Sequence, residues 1–152
     1  MNVYPNLTIT FLIECGGKFL LVSRGKIEEN FPNLWAFPGG KVEISETVID
    51  AIRREVKEET DLELTDDAVF LDSYFFKSTI GIAFLVRSTH ENVKLSNELS
   101  DYQWITSLED IKNYNCIPGI YNHLKRAKEK LDKGDFDSLE EMNLVESKYL
   151  NK

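Results

Sequence analysis

Cysteine is scarce in this chain of 152 residues: Cys15 and Cys116 are the only two, and they lie far apart. Two distant thiols make neither a disulfide framework nor a Cys-x-x-Cys metal site, so both are expected to be reduced packing residues. Positive charge is also short, with 18 lysines and arginines against 26 acids and a formal net charge of −8. Such a surface repels a phosphate backbone, which excludes long nucleic acid as a partner but leaves room for a small polyanion held by metal and a local basic patch. No run reaches the roughly 18 continuous apolar residues of a membrane span, and the amino terminus has no basic-then-apolar leader pattern. A cytoplasmic protein with no membrane partner is therefore expected. Repeats, low-complexity tracts and linkers are absent as well. With 42% apolar and 29% charged residues, a chain of this length is expected to fold as one domain around a single core, burying roughly 70% of its unfolded surface.

Two β-branched and aromatic runs, 7–13 and 18–23, flank Cys15-Gly16-Gly17, whose glycines suit the positive φ angles of a hairpin turn. From Arg24 to Gly40, Pro32, Pro38 and Gly39-Gly40 predict an irregular loop carrying Phe31 and Trp35. Residues 47–60 read as a helix with Thr47 as N-cap and Asp50 in a capping-box position. Strands are predicted over 69–76 and 80–87, turning at Lys77–Thr79, and over 102–106. A helix capped by Ser107 with Asp110 follows, then one opened by Pro118 and running to about Leu131. A last helix is expected from Ser138 to about Tyr149, with Leu139, Met142, Val145 and Tyr149 forming an apolar stripe. A short amphipathic helix is marginal alone. The stripe needs either its own domain or the same helix of a second subunit in a homodimer. Mixed strands and helices in this order predict an α+β or α/β fold, a mixed sheet sandwiched between helices.

The helix at 47–60 carries an anomaly. With Val48 set at 0°, Ile52 falls at about 40° and Val56 at about 80°, yet Glu59 falls at about 20°, Glu55 at about 340° and Glu58 at about 280°. Carboxylates thus occupy or border the face that should pack. Glu55 and Glu59 are also i,i+4 neighbours of like charge, in the half of the helix where the dipole disfavours anions. Arg54 can bridge to Glu58, but one guanidinium cannot neutralise three acids. A hard divalent ion with oxygen ligands, Mg2+ or Mn2+, answers the deficit. Gly39 and Gly40 let backbone approach closely, so that a main-chain carbonyl could join the ligands.

Gly40, Glu46, then Arg54-Glu55-Val56-Lys57-Glu58-Glu59-Thr60 and Leu62 stand at the spacing of the Nudix box, and the chain resembles the Nudix hydrolase family, its MutT-like members included. Trp35-Ala36-Phe37-Pro38-Gly39 resembles the family's lead-in. One position departs: Asp61 replaces the glycine that ends the family's helix in a left-handed turn, a conformation aspartate tolerates better than most residues. The resemblance implies a Nudix domain over 1–133, with 134–152 as a helical extension of it. It implies metal binding by Glu55, Glu58, Glu59 and the Gly40 carbonyl, with Arg54 orienting the cluster and Glu46 supporting the loop. Glu98 on a later loop is the leading candidate for general base, Glu91 the second, and a box glutamate such as Glu58 the alternative. Arg24 and Lys41 are candidate phosphate contacts; Phe31 and Trp35, with Tyr74, Phe76, Tyr102 and Trp104, are aromatics from which base-stacking contacts could come. His90 and His123 lie apart from the box and are expected at the surface.

The implied reaction is metal-dependent pyrophosphohydrolysis of a small nucleotide, a nucleoside or deoxynucleoside triphosphate first, releasing monophosphate and pyrophosphate. Nucleotide sugars and ADP-ribose are the alternative substrates; no proline lies between Pro38 and Pro118, where the ADP-ribose branch tends to carry one. A non-catalytic nucleotide-binding module ranks lower, because such modules usually lose box carboxylates and this chain keeps them.

Overall fold

The computed structural model describes residues 6–24 and 33–150. Its strands are β1 (Asn6–Cys15), β2 (Lys18–Arg24), β3 (Trp35–Ala36), β4 (Gly39–Lys41), β5 (Leu64–Phe76), β6 (Thr79–Ser88), β7 (Leu99–Ile105) and β8 (Asp137–Ser138). The helices are α1 (Val48–Thr60), α2 (Ile120–Lys133) and α3 (Leu139–Leu150), with a 3-10 helix at Leu108–Asn113. The strands form one mixed sheet of order β3-β2-β1-β6-β5-β8, with β4 added to β1 and β7 to β2. β1 and β6 run parallel, from Asn6 opposite Thr79 to Glu14 opposite Arg87, and the other pairings are antiparallel.

Alternation along β1 divides the core between two faces, because successive strand side chains point to opposite sides. Ile9, Phe11 and Ile13 pack with Ile49, Ile52 and Val56 of α1. Leu12, with Leu21 and Leu85, packs with Ile120, Leu124 and Ala127 of α2. The sheet is therefore sandwiched between helices, as the mixed order of strands and helices predicts.

Several boundaries differ from the sequence reading. The stretch 24–40 is not all loop: Trp35–Ala36 pairs with β2 and Gly39–Lys41 with β1. β5 begins at Leu64 rather than 69, and its pairing with β6 shifts register between Leu64 and Ala68. Gly119, at φ 92°, caps α2, so that helix starts after Pro118 rather than on it. Ser107 and Asp110 do form a reciprocal capping box, but on a 3-10 helix. The turn at Gly16-Gly17 has φ of 59° and 83°, as the hairpin requires. Both cysteines are free. Among the described residues no helix is long and apolar enough to cross a membrane.

The tail packs on α1. Leu139 is fully buried in the α1-side core and Met142 packs against it. The Ser138 hydroxyl accepts from the Glu141 N–H, as an N-cap should, and Ser138 also pairs with Asp67 at the sheet edge. Val145 departs from the predicted stripe: it is 56% exposed. The Tyr149 side chain lies outside what the structure describes.

Candidate active site

Helix α1 is fastened at both ends. At its start Thr47 accepts from the Asp50 N–H at 2.9 Å and donates to Asn143 Oδ1 at 2.8 Å; Asn143 Nδ2 donates to Asp50 Oδ1 at 3.1 Å. The free N–H of Val48 donates to Glu146 Oε2 at 2.8 Å, a carboxylate at the positive end of the helix dipole. At the other end Asp61 adopts the left-handed conformation, φ 59° and ψ 19°, with its N–H on the Lys57 carbonyl. The loop after β6 satisfies the next two orphan carbonyls: Ser96 N–H donates to Glu59 at 3.0 Å and Lys94 N–H to Thr60 at 2.9 Å.

Packing requires glycine at position 39, and at position 40 glycine leaves room for the Glu55 side chain. Paired with Ile9 on β1, Gly40 lies so close to Glu55 that a methyl group there would overlap its carboxyl; one at Gly39 would strike the Ile9 carbonyl. The β4 backbone and the acidic helix face therefore meet directly.

Glu59 and Glu55 lie on the packed face, as the helical wheel predicts, and Glu58 is exposed at its border. Glu59 is 9% exposed, and its Oε2 is buried with no hydrogen-bond partner. Burial, reinforced by the charges of Glu55 and Glu98, pushes its pKa up to about 8 against the opposing influence of the Gly39 N–H and Arg24. Burial likewise raises Glu55, with Arg54 opposing and Glu58 and Glu98 adding to the rise. Arg54 grips Glu46 with two parallel bonds, Nε to Oε2 at 2.7 Å and Nη2 to Oε1 at 2.9 Å, and reaches Glu55 at 2.9 Å, Glu58 at 3.4 Å and the Lys41 carbonyl at 3.1 Å. The fork holds the Glu46 carboxyl below its usual range. Glu46 thus acts on Arg54, and Arg54 on the cluster.

Glu55, Glu58, Glu59, Ser96, Asn97 and Glu98 line a cleft of about 280 Å³. Glu98 joins the box acids there, as its position on the loop before β7 predicts. Ser96 and Asn97 carried no sequence signal beyond their neighbour Glu98. Arg24 ends β2, close enough to influence Glu59. The Lys41 side chain is exposed beside the glycines, while its carbonyl takes Arg54. Trp35 is not among the cleft residues; its ring packs on Tyr114 at 4.9 Å between centroids. Phe31 lies outside the described residues. His123 is not a surface residue as expected: it is half-buried against the Tyr74 ring.

Oxygen donors alone, crowded and under-neutralised, are the chemistry of a hard divalent cation site. The unpartnered Glu59 Oε2 and the close Gly40–Glu55 approach fit such an ion. Among the described residues no three acidic, histidine or cysteine side chains are yet gathered around one point: Arg54 holds Glu55, and Glu58 is exposed.

Residues 5–124 match the NUDIX domain family. The chain belongs to that family and is a Nudix hydrolase. It is similar to the nucleoside triphosphatase NudI of Klebsiella pneumoniae (strain 342), 35% identical with 68% of this chain and 83% of the relative covered. It is also similar to the 8-oxo-dGTP diphosphatase of Buchnera aphidicola subsp. Schizaphis graminum, 28% identical over 84% of this chain and 95% of the relative. The fold is that of a NUDIX hydrolase from Nitrosomonas europaea, with a TM-score of 0.75 and 20% identity over 89% of this chain and 76% of the other. Hydrolases of this family are typically divalent-metal dependent.

Proposed function

We propose that this chain hydrolyses a nucleoside or deoxynucleoside triphosphate to the monophosphate and pyrophosphate, with Mg2+ or Mn2+ held by Glu55, Glu58, Glu59 and the Gly40 carbonyl. The observation that carries the reading is Glu59: a buried carboxylate with an unpartnered oxygen, raised to about 8, in a cleft lined by three further acids. Without a cation that arrangement only costs stability. The nucleoside triphosphatase and the 8-oxo-dGTP diphosphatase among its relatives support the substrate class.

A divalent ion bound there neutralises phosphate oxygens, templates the substrate and lowers the pKa of a water. The chain's own residues do the rest. Arg54, braced by Glu46, holds Glu55 and Glu58 in place. Glu98 faces the cleft from the opposite loop and takes the proton of the attacking water, which adds to phosphorus as the bridging P–O bond breaks. Arg24 and Lys41 offer charge to the departing phosphates. The packing of α3 on α1 supports reading residues 134–152 as part of the same domain as 1–133.

A panel of nucleoside triphosphates, a nucleotide sugar and ADP-ribose, assayed for pyrophosphate and phosphate release with Mg2+, tests the reading. Pyrophosphate from a triphosphate is the expected result. Turnover of the sugar or ADP-ribose compounds alone would replace the substrate class.

A further inference from the structure

Ser96 lines the cleft with the box glutamates, although it lies outside the box. Its N–H donates to the Glu59 carbonyl at 3.0 Å and its carbonyl accepts from the Leu99 N–H at 3.2 Å. On either side of it, Val93, Leu95 and Leu99 pack against the α1-side core. The backbone at 96 is therefore fixed relative to Glu59, and with it the direction of the Ser96 Cα–Cβ bond.

The hydroxyl at the end of that side chain is buried and has no hydrogen-bond partner, the same condition as Glu59 Oε2. Both residues line the same cleft. A hydroxyl carries one hydrogen to give and two lone pairs to fill, and a carboxylate oxygen can only accept. Buried polar groups are normally satisfied by protein or by ordered water, so one guest can serve two unsatisfied groups on residues that line the same cleft. With the ion on Glu55, Glu58 and Glu59, a water that gives a hydrogen to Glu59 and exchanges one with Ser96 satisfies both groups. Small divalent ions dehydrate reluctantly and keep several waters when bound by carboxylates.

We propose that Ser96 is a positioning residue for the metal ion's hydration shell, its Oγ and Glu59 Oε2 together holding one water of the ion bound at Glu55, Glu58 and Glu59. The proposal rests on the metal site of the preceding section. Hydrogen bonds from such outer groups orient the ligands and commonly carry about 10-fold to 100-fold of metal affinity.

The test is Mn2+ binding to the full-length chain, without substrate, read as free Mn2+ by electron paramagnetic resonance. Wild type is compared with Ser96→Ala, Ser96→Thr and Glu59→Gln, and each variant's thermal midpoint is recorded as a check on folding. Ser96→Ala is expected to fold and to bind Mn2+ about 10-fold more weakly, while Ser96→Thr, which keeps the hydroxyl, binds close to wild type. Equal affinity in wild type and Ser96→Ala overturns the proposal, as does equal weakening in Ser96→Ala and Ser96→Thr, which would make the effect one of packing. Mn2+ binding that Glu59→Gln leaves untouched overturns the metal-site reading itself, a result separate from either of these.

Discussion

Two single side chains on α1 test the local physics most sharply. Glu59→Gln keeps the shape of the buried group and removes its charge. If Glu59 holds the cation, kcat falls by at least ~100-fold, because the ion supplies several kcal/mol of transition-state stabilisation. Turnover near wild type in that variant would move the reaction to other residues. Asp61 sits where glycine is the natural choice, in the left-handed conformation at the negative end of the helix, and it recovers part of that cost through a surface pair with Lys57 at 2.9 Å. Asp61→Gly removes backbone strain, an opposed charge and a weak exposed ion pair. A higher thermal midpoint is expected; a lower one would show the Lys57 pair to outweigh the strain. At this scale the sequence was highly legible. Like-charged Glu55 and Glu59 on an apolar stripe have no reason to exist in a helix that merely packs, and Thr47 and Asp61 cap the helix where their chemistry says they should. Ser96 was not legible, since nothing in a serine's neighbours reveals that its hydroxyl will be buried and unpartnered.

Elements whose outline depends on pairing rather than on periodicity were the ones missed. β3, β4 and β8 are two or three residues long, too short for any alternation to show, and they exist because a longer strand offers them an edge. Gly39-Gly40 reads as a break in the chain, yet glycine is what lets β4 approach β1 and Glu55 at once. α3 was legible as an amphipathic helix but its surface was not: its polar Asn143 and Glu146 reach the start of α1, while Val145, assigned to the apolar stripe, stays exposed. Asn143→Ala removes bonds to Thr47 and Asp50 at the N-terminus of α1, and a loss of about 1–2 kcal/mol is expected in denaturant unfolding. An unchanged midpoint would show that Asn143 does not brace that end. α2 supplies a pH dependence. Burial against Tyr74 lowers the His123 pKa from 6.5, with Asp72 opposing and Arg126 adding to the shift. A histidine whose folded pKa is depressed is protonated first in the unfolded state, so its contribution is complete above pH 6.5 and is lost as pH falls below that value. Wild type should therefore lose stability between about pH 7 and pH 5 more steeply than His123→Gln. Parallel curves would remove His123 from the account.

The whole molecule arranges two halves of a site from distant parts of the sequence. The sheet brings β4 beneath α1, and the loop between β6 and β7 closes over the end of that helix, so box acids and Glu98 line one cleft. An assembly of buried acids that is costly alone should be relieved by the ion it is built for. Saturating Mg2+ or Mn2+ is expected to raise the thermal midpoint of the wild type, and to do so far less in Glu59→Gln, because a ligand that binds the folded state stabilises it by mass action. Whether this cleft hydrolyses triphosphates through a metal ion held by the α1 carboxylates is decided by one assay. Pyrophosphate release from a nucleoside triphosphate is followed for chelator-treated protein, then again after Mg2+ is restored, in wild type and in Glu59→Gln. Release that is absent without metal, returns with it, and falls at least ~100-fold in the variant is the predicted result. Full-rate release by the chelator-treated wild type, or by Glu59→Gln, would contradict it.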